Sequence, residues 1–281
     1  MTPRPTGAVV DLDRLLGLAT QAGPRAAPGL ARGRTGGRSG PRRGQGGDPY
    51  DLRPFQEGDD PRRIDPAATA RTGRPQIRSR HEEVESTLLL IADFRTPMLW
   101  GTQGRFRSVA AAEALALEGW GAVLAGGRVG SLIVRDGESE MLAPRSREAA
   151  MLGICAALAR AHRAACDGPV GDHEALYVIL DGVSPRIRPG TSVQLATGFD
   201  DPGAGFGAAA AALMRKCRLE VLLIQDAFEA SPPAGTFVAR LGQRIARGRL
   251  GAPSSAAALK AHGVPTRIVD ARAPLGEETA A

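Results

Sequence analysis

Histidine and cysteine are scarce in this 281-residue chain, four of the first and three of the second. Cys155, Cys166 and Cys217 cannot all pair within one chain, and none stands at a metal-ligand spacing. His81, His162, His173 and His262 are scattered, without an HExxH pairing. Neither a zinc site nor a His-activated nucleophile is expected, and the cysteines read as buried free thiols. Aromatic residues make up only 4% of the chain, so the core must be built from Leu, Val, Ile and Ala. No apolar run approaches the ~20 residues that a membrane helix requires. Asp11, Asp13 and Arg14 interrupt the one greasy stretch near the start, which excludes the pattern of a signal peptide. A soluble cytoplasmic protein without a membrane span is the expectation.

What the chain has in excess is arginine. The formal net charge is +6, and much of the surplus lies between Arg32 and Arg80. Such an arm suits nucleic acid, anionic lipid or an acidic protein surface. No aromatic precedes Tyr50 on which a base could stack, so nucleic acid is not the expected partner. Residues 21–47 are rich in Gly, Pro and Arg and bury too little apolar surface to offset the entropy of ordering. The expected division is 1–47 as a short helix (over residues 8–20, with Val9, Leu12, Leu15, Leu16 and Ala19 on one side) and a basic linker. Residues 48–86 are expected as a turn-rich segment laid against the main domain, and 87–281 as that domain, α/β with a C-terminal extension.

From Thr87 onward apolar runs alternate with helical texture. Thr87–Ala92, Arg128–Val134, Ala175–Leu180, Leu219–Ile224 and Thr266–Val269 are predicted strands, and Glu138–Leu142 a short additional one. Phe106–Ala125, Arg147–His162, Ala208–Lys216 and Ser254–His262 are predicted helices. On the second of these, Met151, Leu152, Cys155, Leu158 and Ala159 share a face. Ser192–Thr197 suits a helical turn. Continuous apolar strands between helices predict an open, mainly parallel sheet covered on both faces.

In such a sheet ligands bind beyond the C-terminal ends of the strands, where the pattern puts Asp93, Asp181 and Asp226. Carboxylates there could hold Mg²⁺, although Asp is equally at home as a helix N-cap. Phosphate loops are excluded: Gly101–Gly104 lacks the Lys-Ser/Thr ending, and the Gly37–Gly47 cluster follows no strand. There is no GxSxG elbow.

Residues 53–78, RPFQEGDDPRRIDPAATARTGRPQIR, carry a long ungapped pattern. Arg53, Gly58, Asp59, Asp60, Arg62, Ile64, Asp65, Ala70, Arg71, Gly73 and Arg78 fall where the signature of the DUF58 family has the same residues, and Arg63 lies within it. The chain therefore resembles DUF58 proteins from about Leu30 onward. The resemblance implies a von Willebrand factor A-like fold. It also implies partnership with a MoxR-type AAA+ ATPase in maturing or assembling a client protein. Two departures stand out. Many von Willebrand A domains hold a divalent ion through D-x-S-x-S after the first strand, whereas this chain has Asp93, Arg95 and Pro97. A guanidinium repels Mg²⁺ and proline offers no side-chain ligand, so weak or absent metal binding, and no other cofactor, is expected. Arg95 either pairs with Asp93 or Asp181 or points into solvent. Pro66 stands where the family has tryptophan.

The alternating Asp and Arg of 58–78 could clamp the segment through internal ion pairs or present a contact surface. The leading functional expectation is a non-enzymatic interaction scaffold without catalytic residues. Its alternatives are nucleic-acid binding through the basic arm and a metal-dependent hydrolase using Asp59, Asp60, Asp93 and Asp181.

Overall fold

The computed structural model describes residues 6–23, 50–56, 59–80, 86–169, 172–241, 244–248 and 255–272. The arginine-rich stretch predicted as a linker lies almost wholly outside them. The chain divides into two compact units, Met1–Leu30 with Glu85–Ala281 and, separately, Ala31–Val84.

In the larger unit the N-terminal helix α1 (Leu12–Gly17) starts at Asp11, whose carboxylate accepts from the Arg14 N–H. It is shorter than expected because 3₁₀ turns flank it at Thr6–Ala8 and Leu18–Thr20. Three residues per turn instead of 3.6 shift the phase of the buried face. Val10, Leu15 and Leu18 are buried, while Leu12 is exposed.

The smaller unit pairs β1 (Tyr50–Pro54) with β2 (Gln76–Arg80) antiparallel, Arg53 opposite Ile77. Between them lie a 3₁₀ turn, Pro61–Arg63, and α2 (Pro66–Thr72). Asp60 caps the turn by accepting from Arg62 N–H, and Asp65 caps α2 by accepting from Ala68 N–H. Pro66 takes the first helical position, where its fixed φ suits the helix and its missing N–H costs nothing. Gly73, at φ +71°, closes α2 in the left-handed conformation that a helix end favours.

The rest of the larger unit runs β3 (Thr87–Asp93), α3 (Arg107–Leu124), β4 (Arg128–Arg135), β5 (Glu138–Ser146), α4 (Glu148–Asp167), α5 (Leu176–Val183), β6 (Ser192–Thr197), α6 (Phe206–Met214), β7 (Arg218–Gln225), α7 (Ala227–Ala230), β8 (Phe237–Leu241), β9 (Arg244–Gly248), α8 (Ser255–Ala261) and β10 (Thr266–Asp270). Six strands form one sheet in the order β10-β7-β6-β3-β4-β5. All neighbours are parallel except the β4–β5 hairpin. Counted along the chain from β3, this is the order of doubly wound sheets. One face of β3 (Leu88, Leu90, Ala92) packs with α1, α3 and α4; the other (Leu89, Ile91) packs with α5, α6 and α8. Helix α3 is buried nearly all round because the sheet lies beneath it and α1 and α4 pack against it.

Two predicted elements exchange roles. Ala175–Leu180 is not a strand: Leu176, Ile179, Leu180 and Val183 stand at helical spacing and are the buried face of α5. The strand beside β3 is instead Ser192–Thr197, whose Ser, Gln and Thr disguise a segment buried at every position. Short apolar runs do not distinguish the two states by periodicity. Further along, β5 is longer than predicted, and the Pro- and Gly-rich stretch after β7 contains the β8–β9 hairpin. Leu152 is half exposed on α4, while Met151, Ile154, Cys155 and Leu158 are buried. Cys155 and Cys217 are buried and Cys166 partly so, all as free thiols. Burial pushes Cys155 up to about 12 and Cys217 to about 11. No helix among the described residues is long and apolar enough to cross a membrane.

Candidate functional site

Neighbouring strands β3 and β6 part company at their C-terminal ends. The chain leaves β3 through α3 toward β4, and leaves β6 through α6 toward β7. In doubly wound sheets this switch point opens the crevice in which ligands sit. Here a polar knot fills it.

Asp93 ends β3 and is 1% exposed. The next residues turn through Arg95 into the 3₁₀ turn Thr96–Met98, which lets the Arg95 side chain fold back. Its Nε donates to Asp93 Oδ1 at 2.8 Å and one terminal nitrogen to Oδ2 at 2.9 Å, a two-pronged fork. The remaining donors reach the carbonyls of Glu174 at 2.6 Å and Asp200 at 2.9 Å. Thr197, at the end of β6, donates its hydroxyl to Asp93 Oδ2 at 2.7 Å. Burial disfavours the Arg95 charge. The hydrogen bond and charge of Asp93, with Asp200 and Asp201 further out, nonetheless hold its pKa above the ordinary arginine value.

A second guanidinium lies alongside. Arg107, at the start of α3 and fully buried, donates to Asp200 Oδ2 and Glu229 Oε1, both at 2.9 Å, and to the Pro97 carbonyl. Its plane lies over Trp100, 4.6 Å from the ring centre. Gly198 is the residue that permits this approach, because a Cβ there would stand 2.4 Å from an Arg107 nitrogen. Asp226, after β7, accepts from Thr102 N–H at 2.8 Å and Phe228 N–H at 2.9 Å, and also from the Thr102 hydroxyl. Glu229 closes a capping box with it. Burial raises the Glu229 pKa, against the Asp226 N–H and Arg107 that favour its charge. Asp226 is held below the usual carboxylate range despite burial, because the hydrogen bonds from Thr102, Phe228 and Ala227 outweigh it.

Asp93 and Arg95 thus meet as a pair, and the Pro97 carbonyl joins the second guanidinium. Asp181 does not belong: it lies exposed on α5 and ends no strand, so the expectation that it sits at the sheet edge is corrected. Asp226 does follow a strand, and its oxygens serve α7 and Thr102. Arg107, Thr197, Asp200 and Glu229 were not predicted. Placing β6 correctly would have put Asp200 after a strand end, whereas nothing in the local sequence singles out Arg107.

In the smaller unit the described acidic signature residues serve the backbone. Asp59 accepts from Gln56 N–H at 2.8 Å, beside the Asp60 and Asp65 caps. Gly58 and the side chains of Arg53, Arg63 and Arg78 lie outside the described residues; Arg62 and Arg71 are exposed.

The switch-point arrangement does not fit a divalent cation. Both Asp93 oxygens are engaged by Arg95 and Thr197, and a metal would have to displace a guanidinium held by four donor contacts. Among the described residues no three His, Cys, Asp or Glu side chains converge as a metal cage.

Fold and site define an open α/β protein with two buried, carboxylate-paired arginines at the switch point of its sheet. The family described as "Protein of unknown function DUF58" matches residues 51–239, more than half of the chain. The chain belongs to that family. It is similar to uncharacterized proteins of Mycobacterium bovis and Mycobacterium tuberculosis, at 32% identity over 158 residues, 53% of this chain and 46% of each relative. The chain thus matches less than half the length of those relatives. No solved structure gives a significant match.

Proposed function

We propose that this chain is a non-enzymatic interaction module of the cytoplasm, working with a MoxR-type AAA+ ATPase to mature or assemble a client protein. Its frame is von Willebrand factor A-like, and its cation site is degenerate. The observation that carries this reading is the Arg95–Asp93 fork in the switch-point crevice. It puts a fixed internal cation where an open sheet would otherwise take a ligand. The ATPase and client come from the resemblance of the 53–78 signature, and fold-level likeness supplies a partner class, not its identity.

The test is affinity capture of the tagged chain from its native host, with and without ATP, followed by mass spectrometry. Recovery of an AAA+ ATPase that changes with nucleotide supports the reading. Recovery of nucleic acid, or of no ATPase in either condition, overturns it.

A further inference from the structure

At the opposite end of the sheet from Asp93, the starts of β3 and β4 and the loop before β6 enclose a cavity of about 430 Å³. Its floor is apolar, made by Leu89, Met141 and Ile187, and its rim carries Arg128, Arg186 and Arg188. Among the described residues no acidic side chain lines it. Arg128 is already engaged, donating to the Pro144 carbonyl at 2.9 Å, so the open charge of the rim is that of Arg186 and Arg188. Arg186 and Arg188 are exposed, and neither meets a carboxylate among the described residues.

We infer that this cavity docks an acidic peptide of a partner protein, carboxylates on the arginine rim and an apolar side chain on the floor. The inference deepens the interaction-module reading and rests on it. Charge complementarity selects an anionic occupant, and planar guanidinium groups match carboxylates as forks. The backbone argues against a phosphate: the N–H groups of Arg128, Ile187, Gly190 and Thr191 are already given to Ser86, Ser184, Lys216 and Arg188 carbonyls. A phosphate nest needs such groups free. Among the described residues no aromatic lines the cavity on which a nucleic-acid base could stack. Nor does a small ion use the space. Arg186 also lines a second cavity of about 330 Å³ alongside α5, whose wall carries Glu138 and Glu174 beside Val178 and Val183. Those glutamates repel carboxylates, so the acidic side chains of the occupant stay on the Arg186 and Arg188 rim of the first cavity.

A random-peptide display library panned on the full chain, and in parallel on the Arg186→Glu/Arg188→Glu variant, tests this. Both substituted side chains are exposed, so the variant should keep the wild-type melting temperature; Arg188→Gln alone serves if it does not. The wild type should enrich Asp or Glu beside Leu, Ile, Val or Met. A synthetic winner should lose at least about tenfold in affinity on the variant. Absence of enrichment, or the same motif won on the charge-reversed variant, overturns the inference. So does displacement of the winner by inorganic phosphate at matched ionic strength, which would assign the rim to a small anion. ATPase capture that persists in the variant while peptide selection fails would remove this docking site and leave the module reading standing. Loss of ATPase capture in the wild type would remove the reading itself.

Discussion

Arg95 and Asp93 are each 1% exposed, and the fork between them compensates two charges that water no longer reaches. Removing one partner is therefore worse than removing both. Arg95→Ala strands a buried carboxylate and is expected to cost about 3–5 kcal/mol, read as a shift in the urea midpoint at unchanged slope. Arg95→Lys should fall between, because an ammonium cannot make the two parallel bonds. A midpoint for Arg95→Ala within error of wild type would mean that the pair is solvated. Gly198→Ala tests the second guanidinium. Arg107 has no room to retreat, being fully buried and held by Asp200, Glu229 and Pro97. The added methyl is expected to cost about 1–3 kcal/mol. Asp226 supplies a pH signature. Its folded-state pKa is lowered, so the native state binds a proton less readily than the unfolded chain. That stability is fully present above the unfolded aspartate value, ~3.9, and is lost as pH falls through the lower folded value. Asp226→Asn should flatten the acid limb of the melting-temperature profile. Glu229, raised by burial, has the opposite sign and acts at higher pH, where the native state gives up stability as pH rises.

Elements were legible in the sequence where burial and propensity agree. Thr87–Asp93 and Leu219–Ile224 are apolar, β-prone and buried on both faces, and both are strands. They fail where a central strand carries polar groups. Gln194 is fully buried in β6, satisfied on one side by donating to Glu220 at 2.9 Å, and this pairing appears only once β7 lies alongside. The exchange of α5 and β6 then misplaced a carboxylate: Asp181 moved off the sheet edge and Asp200 onto it. The site divides in the same way. Asp93, Arg95 and Pro97 lie within one turn and could be read together. Arg107 meets Asp200 and Glu229 across 93 and 122 residues of chain, a proximity that no local pattern encodes. The N-terminal helix offers a test at this scale. Leu15 and Leu18 are fully buried against the main core, and Trp120 donates its indole N–H to the Leu15 carbonyl at 3.0 Å. Leu15→Ala is expected to cost about 2–5 kcal/mol. Deleting residues 1–23 should lower the melting temperature and shift tryptophan emission to the red as Trp120 gains water. Emission unchanged on deletion would show that α1 is not part of the folded unit.

For the whole molecule, the closed crevice makes a thermodynamic claim about metal ions. A ligand that binds the native state alone raises its stability by RT ln(1 + [L]/Kd), wherever it sits in the fold. A bound Mg²⁺ or Mn²⁺ would therefore show in the melting temperature of the full chain whichever carboxylates held it, those of the sheet edge or Asp59 and Asp60 of the smaller unit. Millimolar Mg²⁺ or Mn²⁺ is expected to move the wild-type melting temperature no further than NaCl of equal ionic strength. In Arg95→Ser the internal cation is gone and the second position after Asp93 carries a hydroxyl. The same ions should there recover part of the stability lost on substitution, since a divalent cation can then neutralise the buried carboxylate. A specific rise in the wild type would show that a metal competes successfully with the guanidinium, and would return a metal-dependent reaction to consideration. A variant that stays unresponsive would show that the crevice lacks the remaining oxygen ligands, leaving arginine as the only cation this edge of the sheet can hold.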